Sequence, residues 1–292
     1  MKDHSQSAAA APADSLMLVQ ALPPLPAAAA ELVKMLGDEN TPTNRIVTLI
    51  EEDVALASRL VGLANSSYYA LPNPVTSVQD AVLRVLGLDL VRGVTLSAIF
   101  GSVLDYRQCQ GFKVERFWRE SLLVAGLSRS LCFSSTGTLG DHAATGYLCG
   151  LTLRLGLLGL AAVRPDETAA AFAADPDLPL SRRLRDVLGT DHRQVGADLA
   201  RQWGIPEPVP EVITRAAGTD TDSLTGLLTS VATLAATMAT HEIEISGQQV
   251  PDSQLEPEDV AEAELRFGGA VATTQGECAR LHQQAQNIAA TL

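Results

Sequence analysis

The stretch GYLCGLTLRLGLLGLAAVRP, Gly146 to Pro165, decides what kind of protein this chain is. It is the most apolar run of the sequence, and one arginine, Arg154, stands in its middle. Three readings compete: a membrane helix, a buried core helix, and an active-site helix whose chemistry has been replaced. A spanning helix needs about 20 predominantly apolar residues. Between Gly146 and Val163 there are 18 positions, interrupted by Thr152 and Arg154 and carrying four glycines. A charge at the bilayer centre costs at least about 2.5 kcal/mol. The run is therefore expected to be a buried helix in a bundle, with no membrane span.

Composition supports that choice. Apolar residues make up 46% of the 292 residues, as in a globular protein with ample length for a core. Aromatics are only 4%. A chain rich in Ala and Leu favours helix over sheet, because these residues lose little on entering a helix whereas β-branched and aromatic residues suit strands. The net charge of -13 repels phosphate backbones, and the densest basic cluster is only Arg182, Arg183 and Arg185. No nucleic-acid partner is expected. Cys109, Cys132, Cys149 and Cys278 are widely spaced with no CxxC pair, which reads as reduced, buried thiols of a cytoplasmic protein. The opening MKDHSQSAAAAPADS lacks the order of a signal peptide and reads as a disordered lead.

The rest of the chain is punctuated as helices. LPPLP (Leu22 to Pro26) is a rigid entry, with a helix expected to Leu36 and a stop at Gly37. Stripes at helical spacing follow at Ile46, Val47, Leu49 and Ile50, and at Leu56, Leu60, Leu63 and Ala64. YYALPNPVTS is a loop, Ser77 with Asp80 suggests a capping box, and a further helix is expected from about Leu88 to Tyr106. GFKVERFWRESLLVAGLSRSLC opens a second block. Asp191 with Gln194 caps a helix that Gly204 and Pro206 end, and two or three helices complete the tail. No alternating strand pattern and no internal repeat is seen. The expected fold class is all-α, in two packed helical blocks.

Most motifs of chemistry are missing. There is no phosphate-binding glycine loop, GLSRS (Gly126 to Ser130) is not a nucleophile elbow, and His4, His142, His192, His241 and His282 make no pair at i+3 or i+4. What the sequence does carry is an order of segments: LPPLPAAAAELVKML, IVTLIEEDVALASRLVGLANSSYYALPNPVTSVQDAVLRVLGLDLVRG, FWRESLLVAGLSRSL, YLCGLTLRLGLLGL and DHRQVGADLARQWGIPEPV. This order resembles an HDOD domain over roughly residues 20 to 240. The resemblance implies an N-terminal helical bundle joined to a helical block related to HD-type phosphohydrolases. It gives a division into a lead (1–20), an N-terminal helical subdomain (21–108) and an HD-like subdomain with C-terminal helices (109–292). It also implies a role in bacterial signal transduction.

In the catalytic relatives a His on one helix and a His-Asp dyad on the next hold a metal that activates water. The resemblance places Glu120 of WRES at the first His, and Leu153 and Arg154 of GLTLRLG at the dyad; His192 alone remains. Leucine offers no lone pair and arginine brings a permanent positive charge. No metal, cofactor or catalysis is expected. Because the equivalent ligands converge on one metal, Glu120 and Arg154 are expected to form an ion pair there. The alternative is that Arg154 reaches solvent and Glu120 is exposed.

A second candidate region is LANSSYYALPNPVTS. Asn65 could adopt the left-handed cap conformation, and Ser66, Tyr68, Tyr69, Pro72 and Pro74 could form an interaction surface. The competing reading is a capped helix end with tyrosine rings covering the core edge. The expected function is a regulatory module acting by protein–protein contact, with receiver or cyclic-di-GMP-related proteins as partners in trans. Two alternatives stay open: a nucleotide or second-messenger sensor using the HD-like pocket, and a residual metal-dependent phosphohydrolase.

Overall fold

The computed structural model of the chain describes residues 15–38, 40–135, 137–215, 223–245 and 267–291, and among these there is helix and no strand. The N-terminal block comprises α2 (Ala27–Leu36), α3 (Thr43–Glu51), α4 (Val54–Ala64), α5 (Val78–Asp80), which passes without interruption into a wider π-type turn (Ala81–Leu86), and α6 (Leu88–Val103). Its helix starts follow local chemistry. Pro26 presets the entry to α2, the Asp53 carboxylate accepts from the Ala55 and Leu56 amides, and the Ser77 hydroxyl accepts from the Asp80 amide. α6 stops at Val103, slightly before the expected end, as the backbone turns extended at Leu104.

The second block is built around α7 (Val114–Ser134). α7 packs against α8 (Ala143–Thr152), α14 (Leu224–Ile245) and α16 (Cys278–Ala289). α9 (Leu155–Val163) lies on α12 (His192–Gln202), α10 (Pro165–Ala173) on α11 (Leu180–Leu188), and α13 (Val209–Thr214) on α12. A further helical segment, α15, spans 267–275. One continuous cluster of buried apolar side chains runs through both blocks. Phe100 of α6 stacks on Trp203 at the end of α12 with centroids 5.0 Å apart, and the Trp203 indole N–H donates to the Pro23 carbonyl at 3.2 Å. All four cysteines are buried and none forms a disulfide. Burial pushes the Cys149 thiol far up and that of Cys278 up to about 11, so both stay protonated at neutral pH.

Two expectations need correction. The lead does not extend to residue 20: Ser15–Gln20 forms a helix, α1, that packs on α12 and α9. The Ser15 hydroxyl donates to the buried Asp198 carboxylate at 2.6 Å, and Leu18 and Val19 enter the core. That partner lies 183 residues away, so no local pattern announces the helix. Residues 1–14, like the expected polar break around 246–259, lie outside the described residues.

The apolar run of the opening is also not one helix. It divides between α8 and α9 at Leu153 and Arg154, where Arg154 has φ -108° and ψ 15°. By length and composition Thr138–Val163 could cross a membrane, but 78% of its most apolar window is buried inside the protein. The glycines explain the packing. A Cβ on Gly150 would come within 2.8 Å of the α7 backbone, and one on Gly156 within 1.8 Å of the His192 carbonyl oxygen of α12. Both positions let helices approach more closely than any side chain permits.

Candidate functional site

The break after α8 sets the site. Arg154, at the corner, donates from Nη1 to Glu120 Oε2 across to α7. Arg116 lies one turn before Glu120 on α7, and its Nε donates to the other carboxylate oxygen at 2.7 Å. Spacing of i,i+4 puts those two side chains on one helix face. Glu120 is buried, with its side chain 9% exposed, and Arg154 is 14% exposed. One carboxylate therefore has each oxygen taken by a guanidinium from a different element. Such charge-assisted bonds offset the desolvation that either charge would suffer alone.

This pair lines a cavity of about 640 Å³. Its wall continues along the segment before α7 (Gln110 to Lys113), then α10 and α11. Arg183 of α11, buried, donates from Nη1 to the Ala171 and Phe172 carbonyls at the end of α10, at 3.4 and 3.3 Å. Phe112 links an aromatic cluster, with Phe117 at 5.5 Å and Phe172 at 6.4 Å between centroids.

Of the four positions that the resemblance sets at a former metal site, the structure brings Glu120 and Arg154 into contact. Leu153, half-buried, and Arg154 border a separate void of about 30 Å³. His192 is buried at the α9–α12 contact and lines neither space. Its neighbour Asp191 caps α12, accepting from the Arg193 and Gln194 amides, and takes a hydrogen bond from Arg185 at 2.5 Å. Burial alone would raise the Asp191 pKa, but His192, those amides and Arg185 outweigh it and hold the carboxyl below its ordinary value. Among the described residues no group of three or more His, Cys, Asp or Glu side chains could hold a metal ion. The donor set does not fit the metal of the catalytic relatives, since Glu120 is occupied twice, Leu153 has no donor and Arg154 is cationic.

The loop after α4 is built differently from the expected cap. Asn65 has φ -90°, not a left-handed value; Ala70 has the positive φ, at 45°. The Asn65 amide instead clamps the loop, donating to the Val75 carbonyl and accepting from the Val75 N–H, both at 2.8 Å. Ten residues are thereby closed by a side chain imitating a strand pair. Tyr68 is exposed and Tyr69 half-buried, their rings edge-on at 4.9 Å. Pro72 and Pro74 are exposed, and the half-buried Ser66 hydroxyl has no hydrogen-bond partner among the described residues. The sequence offered an HD-like pocket only through the resemblance, and it did not place Lys113, Arg116 or Arg183 on its wall. The i,i+4 spacing of Arg116 and Glu120 was the readable signal; the cavity, formed by elements distant in sequence, left none.

The fold and site can be set beside known proteins. The family model described as HDOD domain matches residues 22–219. An uncharacterized protein of Treponema pallidum (strain Nichols) is 27% identical over 196 residues, which is 66% of this chain and 37% of that protein. The chain thus spans well under half the length of that curated relative. Among solved structures, a candidate signal transduction protein of Marinobacter aquaeolei VT8 superposes with TM-score 0.74 at 24% identity, covering 93% of this chain and 59% of that one. A candidate phosphohydrolase of Shewanella amazonensis SB2B gives 0.71 at 24%, covering 95% and 97%. An HDOD domain protein with unknown function from Geobacter sulfurreducens gives 0.69 at 19%, covering 94% and 98%. At these identities the likeness is one of fold.

Proposed function

The chain belongs to the HDOD domain family, and from that membership we propose that it is a regulatory module of bacterial signal transduction whose HD-related site has lost its metal chemistry. The observation that carries this reading is the carboxylate of Glu120 held between Arg116 and Arg154. A divalent cation at this place would meet two guanidiniums and lose the one carboxylate, so the cluster replaces the metal by fixed positive charge. The structure-bearing role of the helices survives, and the water-activating role does not.

The module acts through contact with a signalling protein in trans, of the receiver or cyclic-di-GMP-handling kind, in the cytoplasm. The exposed ring of Tyr68 and the prolines 72 and 74, on a loop held in one shape by Asn65, support a contact surface that costs little ordering on binding. The catalytic side of the proposal is tested by incubating the purified protein with bis-p-nitrophenyl phosphate and Mn²⁺. Absence of turnover above the metal blank is expected. Turnover that disappears in Glu120→Ala would overturn it.

A further inference from the structure

The cavity beside the Glu120 cluster has the dimensions and lining of a ligand site. Its volume, about 640 Å³, falls within the roughly 300–1,000 Å³ usual for small-molecule pockets. Its wall holds four cations, Lys113, Arg116, Arg154 and Arg183, against one carboxylate, Glu120, which is already bound by two of them. The chain as a whole carries a charge of -13. A cationic concavity in so acidic a molecule runs against the average field and concentrates potential for anions at one place. The Arg116 side chain, 28% exposed, borders the cavity beside these charges.

The remainder of the lining is suited to a flat ring. Phe112 and Phe172 line the cavity with ring planes inclined by only 19°. Ala169, Ala170 and Ala173 of α10 border it with methyl groups only, which keeps the space open. Fixed positive charge and aromatic faces together fit a molecule that is anionic at one end and planar at the other.

We propose that this cavity binds a nucleotide, with phosphate oxygens accepting from the Arg116 guanidinium and the Lys113 ammonium, and with the base against Phe112 and Phe172. Glu120 then acts as the counter-charge that holds Arg116 and Arg154 in place, so that the donors are positioned before the ligand arrives. The inference rests on the reading that the site kept its pocket and lost its metal, and the test separates the two.

Calorimetric titration of the full chain in EDTA, with AMP, GMP, adenosine and inorganic phosphate, provides that test. One nucleotide is expected to bind at one per chain, about tenfold or more tighter than adenosine or phosphate alone. Lys113→Glu and Ala170→Trp alter exposed positions at the cavity and should leave the helical circular dichroism unchanged. Each should weaken nucleotide binding by about tenfold or more, the first by charge reversal and the second by filling the space. No binding by AMP or GMP at millimolar concentration would overturn the inference and leave the non-catalytic reading standing. Binding that is indifferent to both substitutions would overturn it as well. Binding followed by hydrolysis in Mn²⁺ would sustain the pocket and overturn the non-catalytic reading.

Discussion

Glu120 is held by two guanidiniums that would repel each other without it. Its replacement by glutamine keeps the shape and removes the charge, leaving Arg116 and Arg154 facing one another in a largely buried place. Glu120→Gln should therefore destabilise the protein by about 2–4 kcal/mol in denaturant unfolding. The double variant Glu120→Gln, Arg154→Met should recover part of that loss, since the second change removes the uncompensated charge. Asn65 acts through hydrogen bonds alone. Asn65→Ala strands the Val75 N–H and carbonyl and should cost about 1–2 kcal/mol. Tyr68→Ala, at an exposed ring, should shift stability by no more than about 0.5 kcal/mol. Thermal unfolding of both variants separates a loop held for its shape from a loop held by its tyrosine. The Glu120–Arg154 contact was legible only by way of the family resemblance, because the two residues are 34 positions apart. The Asn65 clamp was not legible, since asparagine after an apolar helix fits a left-handed cap equally well.

Among the elements, the contact of α9 with α12 is the tightest constraint. Gly156→Ala would drive a methyl group into the His192 carbonyl and should cost about 3 kcal/mol or more, read as a fall in Tm. Gly62→Ala in α4 meets nothing within 4 Å and should instead stabilise by about 0.5–1 kcal/mol. The start of α12 carries a pH dependence. The folded-state pKa of Asp191 lies below that of the unfolded chain, so its contribution is complete at neutral pH and is lost as pH falls below about 4. Asp191→Asn keeps an oxygen for the cap and drops the charge. Stability measured from about pH 3 to 5 should then rise less steeply with pH than in the parent protein. Capped starts at Ser77 and Asp191 were readable because each lies within three residues of the amide it accepts from; the equally local cap at Asp53 was not singled out. The break at Leu153 and Arg154 was not. No proline marks it.

Over the whole molecule, the all-α class and the order of helices followed from composition and periodicity, because helices are local. The helix α1 and the size and lining of the cavity of about 640 Å³ did not, because both depend on surfaces that meet only after folding. On the proposed reading, an HD-related fold has here exchanged metal ligands for an arginine-clamped carboxylate. Metal content of the purified chain after loading with Mn²⁺ and gel filtration tests this most directly. Less than about a tenth of an equivalent is expected, since one twice-occupied carboxylate makes a poor site. One tightly held Mn²⁺ per chain, lost in Glu120→Ala, would contradict it.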